Sequence, residues 1–280
     1  MPQILEHPFT PQEFIHVALP FLLQKETVNC LMAGLLWEAR DDPSRLHGSY
    51  LAAATRDGEV VAVAMRTLLK LLLSHSSDAT AMAVLAEDAL RQLPDLGSVK
   101  GPDAAVHAFL DVWTRLTGKG VRLSMRQRIY RLETVRPVTG VLGAMRSAQP
   151  ADRDLLIDWV EQFRADVGEP GNRDETAVAV ARHLVRGSLF VWEDGEAASI
   201  AAIAGETPSG ARIGPVYTPP RYRRHGYASA LTAALSRQML DRGKRWCCLY
   251  TNLANPTSNH IYGEIGFRPV CDVSDYEFPP

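Results

Sequence analysis

One segment in the second half of the chain constrains its fold most, because a strand-like run leads through a turn directly into an amphipathic helix. It reads Val-Tyr-Thr-Pro-Pro-Arg-Tyr-Arg-Arg-His-Gly-Tyr-Ala over residues 216–228. The following residues place Leu231, Leu235 and Met239 at four-residue spacing, which is typical of a buried helix face. The first N–H groups of a helix have no partner within it, and the helix dipole favours negative charge there. The segment therefore predicts an anion site, and a pyrophosphate fits it.

The side chains around this turn suit phosphate. Gly226 and Ala228 place only a hydrogen or a methyl group where larger side chains would hold phosphates away. Arg223 and Arg224 add cationic donors, and His225 is either a further phosphate contact or a solvated loop residue. Taken alone, an Arg-x-x-Gly-x-Ala turn is a weak pattern, which an ordinary loop before a helix also satisfies.

A second motif follows at a fixed distance. Residues 246–251 are typical of a buried strand, and residues 255–267, Asn-Pro-Thr-Ser-Asn-His-Ile-Tyr-Gly-Glu-Ile-Gly-Phe, of a short capped helix. The order of strand, Arg-x-x-Gly-x-Ala loop, helix, strand and Asn-x-x-Ser-x-x-x-Tyr-x-x-x-Gly-Phe segment resembles the GNAT acetyltransferase superfamily over about residues 145–280. The two motifs together are far more specific than either one. Arg224 stands where many members have Gly, and Arg221 where Glu is frequent, so the loop is more cationic than usual.

This resemblance implies acetyl-CoA as the cofactor, with direct attack of an acceptor amine on the thioester in a ternary complex. It implies that the backbone of Val216, Tyr217 and Thr218 pairs with the pantetheine amides along an exposed strand edge. Asn255 and Ser258 match positions that contact pantetheine, although helix capping alone would explain both residues. The residues expected around the pyrophosphate are Arg223, Arg224, His225, Gly226, Tyr227, Ala228 and Ser229.

The resemblance also assigns one catalytic residue. Tyr262 matches the general acid of the family, and its phenol could donate a proton to the departing CoA sulfur; the plainer interpretation is a tyrosine that packs beside Ile261 and Phe267. For the general base the candidate is Glu206, near the end of a predicted strand, and a water chain could serve instead. The acceptor is either a small-molecule amine or an amino group of a protein.

The first half of the chain repeats the order of elements in the second half. We therefore expect an α/β fold with mixed sheets in two tandem GNAT-like domains, a degenerate one over residues 1–136 and an acetyltransferase domain over residues 137–280. In the first half the patterns predict a long helix over 11–38, a hairpin over 50–66, a strand over 68–74, a helix over 79–92, a strand over 97–100, a helix over 102–116 and a strand over 124–131.

The first copy departs from the pattern where chemistry would lie. Residues 75–80, His-Ser-Ser-Asp-Ala-Thr, occupy the phosphate-loop position without the arginine or the paired small residues. Gly101 and Pro102 replace the Asn-containing segment. We expect this copy to be a scaffold that shapes the acceptor pocket, in preference to a second catalytic site.

Composition narrows the alternatives. A formal net charge of −2 gives no whole-chain argument for nucleic acid or an anionic membrane. The four cysteines lack paired metal-ligand spacing, so no metal is predicted. Without a secretory n-region or a membrane-length apolar run, we expect a cytoplasmic enzyme. A non-catalytic acyl-CoA-binding regulator or scaffold is the main alternative. A nucleic-acid module built on Arg221, Arg223 and Arg224 ranks last, because aromatic interleaving is missing.

Overall fold

The structure is a computed structural model that describes residues 2–4, 9–66, 70–169 and 171–279. The first half contains β1 (Gln3–Ile4), α1 (Pro11–Gln24), α2 (Cys30–Ala39), β2 (Tyr50–Arg56), β3 (Glu59–Arg66), β4 (Leu71–Leu73), α3 (Ala79–Gln92), β5 (Ser98–Pro102), α4 (Asp103–Thr117) and β6 (Arg122–Leu132). The second half contains β7 (Ala144–Ser147), α5 (Arg153–Asp166), α6 (Arg173–Arg186), β8 (Leu189–Asp194), β9 (Glu196–Glu206), β10 (Gly210–Tyr217), α7 (Tyr227–Asp241), β11 (Trp246–Asn252), α8 (Pro256–Ile265) and β12 (Arg268–Glu277).

The two halves run through the same elements in the same order, which is strand, two helices, three strands, helix, strand, helix, strand. All strands join one 12-stranded sheet in the order β1-β2-β3-β4-β5-β12-β6-β11-β10-β9-β8-β7. The parallel pairs are β4 with β5 and β10 with β11, and they occupy equivalent positions in the two halves. The predicted α/β fold with a mixed sheet and a tandem repeat is confirmed.

The halves exchange their last strands. β12, from the second half, lies between β5 and β6, and β6, from the first half, lies between β12 and β11. The β12–β6 pairing runs from Arg268 opposite Arg131 to Glu277 opposite Arg122. Backbone hydrogen bonds therefore continue without a break across the centre of the sheet, while the division of the chain at residues 136 and 137 stays a prediction.

The predicted long helix over residues 11–38 is wrong, because the chain breaks into α1 and α2 around residues 25–29. Asn29 holds the break: its buried amide donates to the carbonyl of Leu22 at 3.1 Å and accepts from the N–H of His75 at 2.8 Å. Apolar residues continue through the break, so the periodicity alone did not reveal it.

Most other predicted elements agree with the structure to within a few residues. The hairpin over 50–66 turns at Asp57 and Gly58, both with positive φ, as a tight turn between antiparallel strands requires. Leu71–Leu73 form β4, and residues 68 and 69 of that predicted strand lie outside the described residues. β12 was not predicted.

Helices cover both faces of the sheet in each half. In the first half α1 and α2 pack on one face and α3 and α4 on the other. In the second half α5 and α6 pack on one face and α7 and α8 on the other. Phe14 is fully buried in the α1–α2 layer, Phe109 in the α3–α4 layer, and Phe190 and Phe267 in the α7–α8 layer. Each contributes about 1.5–3 kcal/mol by its removal from water. No helix in the described ranges has the length and apolar character needed to cross a bilayer.

Candidate active site

β10 and β11 begin side by side and then separate. Their parallel pairing runs from Gly210 opposite Trp246 to Arg212 opposite Cys248 and ends there. β10 continues with β9 through register shifts around Ile213, and β11 continues with β6. Each strand therefore turns an unpaired edge to the other beyond this point, and unpaired edges offer N–H and C=O groups to a bound chain.

The gap between the two strands is a cleft of about 350 Å³. Ile213, Gly214, Pro215 and Val216 line it from β10, and Leu249, Tyr250, Thr251 and Asn252 line it from β11. The first half closes one side of it with Lys100, Met125 and Gln127. The cleft is therefore shared by the two halves.

The predicted phosphate loop connects β10 to α7. A single turn of 3-10 helix, Pro220–Tyr222, leads to Arg224 and Gly226, which have φ of 69° and 81°. No side chain caps the start of α7 at Gly226, so the first N–H groups of this helix lack a side-chain acceptor. An ideal Cβ on Gly226 would lie 2.8 Å from Cγ2 of Val141. Both the left-handed backbone and the packed neighbour therefore require glycine here.

Arg223 is tied to neighbouring elements. Its Nη2 donates to Oδ2 of Asp166 at 2.7 Å, and its Nε donates to the carbonyl of Thr218 at 3.0 Å. The two charged side chains are 48% and 52% exposed, so this ion pair contributes at most about 1 kcal/mol. An anion at the start of α7 could therefore compete with Asp166 for Arg223.

The remaining loop residues take different positions. Arg224 and His225 are exposed, and the ring of His225 stacks on Tyr227 with centroids 5.5 Å apart. The Tyr227 hydroxyl donates to Oδ2 of Asp194 at 2.6 Å, which fixes the start of α7 against the β8–β9 hairpin. Ala228 and Ser229, in the first turn of α7, are partly exposed.

Of the three predicted strand-edge residues, Val216 alone lines the cleft. The side chain of Tyr217 lies on the α5 side of the sheet, where its hydroxyl donates to Oε1 of Gln162 at 3.1 Å, and burial raises its pKa. The hydroxyl of Thr218 forms a 2.8 Å hydrogen bond with that of Ser199. Val216 and Tyr217 face opposite sides of the sheet because successive side chains alternate along a strand.

Residues of α8 meet Val216 across the cleft. Tyr262, Asn255 and Ser258 all line it. Asn255 caps α8, because its Oδ1 accepts from the N–H of Ser258 at 3.0 Å, so the capping interpretation of this pair is correct whatever else it binds.

Tyr262 has features of both a packing residue and a proton donor. Its side chain is only 9% exposed and packs edge-on against Phe267, with centroids 5.9 Å apart. Among the described residues its hydroxyl has no hydrogen-bond partner, although it borders the cleft. Burial raises its pKa to about 12, so the phenol keeps its proton at neutral pH and is available as a donor.

Glu206 is not brought to this cleft. It lies where β9 ends and pairs with Ala211 at the start of β10, whereas the cleft begins beyond Arg212. Its carboxylate forms an ion pair with Lys244 at 2.8 Å. The carboxylate that does line the cleft is Glu169, in the connection between α5 and α6.

The equivalent place in the first half is closed. An ideal Cβ on Gly101 would lie 2.8 Å from the carbonyl oxygen of Leu73, so β4 and β5 stay in contact, and the cavity beside them measures about 20 Å³. At the start of α3 the Asp78 carboxylate accepts from the N–H groups of Thr80 and Ala81, both at 3.1 Å. A carboxylate of the chain therefore occupies the position where α7 leaves an anion site free.

Sequence reasoning missed several polar residues that line the cleft, among them Lys100, Gln127, Glu169 and Arg212. Lys100 and Gln127 lie on first-half strands, and only the strand exchange brings them beside the second half. No local motif marks them, since the pairing depends on long-range topology.

Comparison with known proteins bears on the fold of the chain. Residues 193–274 match the FR47-like protein family, and no curated protein sequence matches the chain. The fold is similar to that of a GCN5-related N-acetyltransferase from Sphaerobacter thermophilus, at 15% identity and a TM-score of 0.66 over 100% of this chain and 96% of that one.

Two further solved structures span the whole chain. A GNAT-family acetyltransferase from Colwellia psychrerythraea is 11% identical with a TM-score of 0.60, over 100% of both chains. A tandem GNAT protein from the clavulanic acid biosynthesis pathway is 14% identical with a TM-score of 0.58, over 100% of this chain and 99% of that one. We therefore identify the chain as a tandem GNAT-fold protein whose residues 193–274 match the FR47-like family.

Proposed function

We propose that the protein is an acetyl-CoA-dependent N-acetyltransferase that transfers the acetyl group to an amine by direct attack in a ternary complex. The observation that carries this proposal is the open cleft between β10 and β11, with Tyr262 at its wall and the uncapped start of α7 next along the chain. The start of α7 at Gly226 has no side-chain cap, and its backbone N–H groups fit a phosphate.

Different residues bind the pantetheine and the pyrophosphate of acetyl-CoA. The free edge of β10 at Val216 pairs with the pantetheine amides, and Asn255 and Ser258 contact the same arm from α8. The N–H groups of Tyr227, Ala228 and Ser229 hold the pyrophosphate. Arg223, released from Asp166, joins Arg224 and His225 around it.

Catalysis requires an oriented amine and a proton for the leaving thiolate. Bound acetyl-CoA supplies the acetyl group as a thioester. The cleft walls orient the amine and exclude water, and Tyr262 donates its proton or a hydrogen bond to the sulfur. A water chain accepts the proton of the amine, because Glu206 is paired with Lys244 outside the cleft lining.

The test is an assay of CoA release from acetyl-CoA with a panel of small amines and peptides that have free amino groups, with mass detection of the acetylated product. We expect amine-dependent release by the wild-type protein. Acetyl-CoA binding without transfer to any amine would contradict the enzymatic proposal and favour the acyl-CoA-binding regulator.

A further inference from the structure

The inner wall of the cleft carries two cationic side chains from different halves of the chain. Lys100 comes from β5 of the first half, and Arg212 comes from the last paired position of β10 in the second half. Both line the cleft.

Lys100 has neutral partners in place of a carboxylate. Its Nζ donates to Oε1 of Gln127 at 2.5 Å and lies 5.5 Å from the ring centroid of Tyr250. Within the described part of the chain it forms no ion pair. Burial lowers its pKa, and the charges of Lys70 and Arg212 lower it further, against the opposing effect of Asp275 and Glu169.

Arg212 also lacks a carboxylate partner among the described residues. Its Nη2 donates to the carbonyl of Ala204 at 3.0 Å, and its buried Nε has no hydrogen-bond partner. Glu38, the acidic side chain of α2 near Gly205, is already held by Arg45 at 3.2 Å and Arg186 at 2.9 Å.

The two carboxylates nearest to Lys100 both form ion pairs with Lys70. Asp275, which pairs with Lys100 in strand register, forms an ion pair with Lys70, and Glu169 also contacts Lys70 at 3.3 Å. Among the described residues that line the cleft, the charged ones are Lys100, Arg212 and Glu169, so two cations share one carboxylate. A partly buried cation without a counter-ion costs free energy, and a bound anion would recover that cost.

We propose that the acceptor amine carries an oxyanion, a carboxylate or a phosphate, which binds between Lys100 and Arg212 while its amino group faces Tyr262. This inference rests on the proposed function and names the substrate class of the same site. The cofactor's own phosphates are not candidates for these two cations, because their proposed site is the uncapped start of α7. The first half thus supplies a specificity residue to the site in the second half.

Matched amines that differ only in the oxyanion test this inference. The pairs are glycine with methylamine, 4-aminobutyrate with butylamine, and phosphoethanolamine with ethanolamine. Each would be titrated by calorimetry into the wild-type protein with CoA bound, and each would be assayed for acetylation. We expect the oxyanion member of at least one class to bind about tenfold more tightly, which is about 1.4 kcal/mol, and the carboxylate and phosphate pairs distinguish the two sources.

Substitutions of Lys100 and Arg212 test whether these two residues cause the preference for the oxyanion. Lys100→Gln should abolish the preference for the oxyanion member, and Lys100→Arg should retain most of it. Arg212→Gln tests the second cation of the pair in the same way. Lys119→Gln removes an exposed lysine outside the cleft and should change nothing. Acetyl-CoA affinity is measured for every variant, so that a loss of cofactor binding is distinguished from a loss of the oxyanion preference.

The experiment distinguishes failure of the oxyanion inference from failure of the proposed function. If no oxyanion member binds better than its neutral partner, or if the preference persists in both Lys100→Gln and Arg212→Gln, the inference is overturned while the acetyltransferase proposal stands. If the wild-type protein fails to bind acetyl-CoA, the proposed function itself fails, whatever the amines do.

Discussion

At the scale of single residues, the local motifs identified which side chains to examine but not which partners they have. The turn at Gly226 and the position of Tyr262 in the cleft wall follow from short sequence patterns. The pairing of Arg223 with Asp166 and of Glu206 with Lys244 does not, because each joins residues far apart in sequence. A charged side chain predicted to bind a ligand can equally be neutralised by a distant strand or helix.

Gly226→Ala should destabilise the fold more than Gly118→Ala. Both glycines have positive φ, 81° and 66°, so each substitution costs about 1–2 kcal/mol of backbone strain. At Gly226 the new methyl group would also meet Val141, whereas nothing lies within 4 Å of the equivalent position at Gly118. Urea denaturation of both variants measures the difference. Equal losses would show that the Val141 contact yields freely.

Tyr262→Phe should lower kcat for acetyl transfer by roughly 10²-fold, the effect expected from removing a general acid, with acetyl-CoA affinity unchanged. Tyr276→Phe is the matched control, since Tyr276 lies on β12 and its hydroxyl is 3.4 Å from Nε2 of His107 on α4. Because the pKa of Tyr262 is raised to about 12, the wild-type rate should not fall on the alkaline side through loss of this proton until the pH approaches that value. A Tyr262→Phe variant with full kcat would leave the residue a packing role only.

At the scale of elements, the equivalent helices α3 and α7 of the two halves differ in how their N-termini are capped. α3 starts at Asp78, whose carboxylate caps it and forms an ion pair with Arg56 at 2.6 Å, and α7 starts at Gly226 without a cap. The residues of α3 were predicted correctly from their apolar period. β12 was missed because Pro269, Asp272 and Asp275 are poor strand formers, and the structure offsets the two charges with Arg128 and Lys70.

Asp78→Ala should cost about 1 kcal/mol of stability through the lost cap of α3. The hydrogen bonds from Thr80 and the ion pair with Arg56 lower the pKa of Asp78. The wild-type contribution is therefore complete above the ordinary Asp pKa of about 3.9 and is lost as the pH falls through the lowered value. Stability curves from pH 7 to pH 3 should show a steeper acid loss for the wild type than for Asp78→Asn. Parallel curves would contradict this assignment.

At the scale of the whole molecule, the strand exchange makes each half depend on the other. The tandem repeat was predictable from the repeated order of patterns, but the exchange was not, because a strand's neighbours in a sheet are set by tertiary packing. Without β12, the β5 edge and the β6 edge lose their partner. The cleft also loses Lys100 and Gln127 if the first half is removed.

Residues 1–136 and 137–280 expressed separately should each fail to give a stable fold, and together they should associate into a native-like complex. In the intact chain, unfolding followed by circular dichroism and by tryptophan fluorescence should give coincident transitions. Trp113 and Trp192 report from the cores of the two halves. Two separated transitions, or a stable isolated half, would show that the exchanged strands are dispensable.

The most direct test of the central claim is calorimetric titration of acetyl-CoA into the wild-type protein, Gly226→Ala and Gly118→Ala. If the cleft between β10 and β11 and the uncapped start of α7 form the cofactor site, the wild type and Gly118→Ala should bind with equal affinity and Gly226→Ala at least tenfold more weakly, a difference of about 1.4 kcal/mol. Absence of binding to the wild type, or equal binding by all three proteins, would contradict the account.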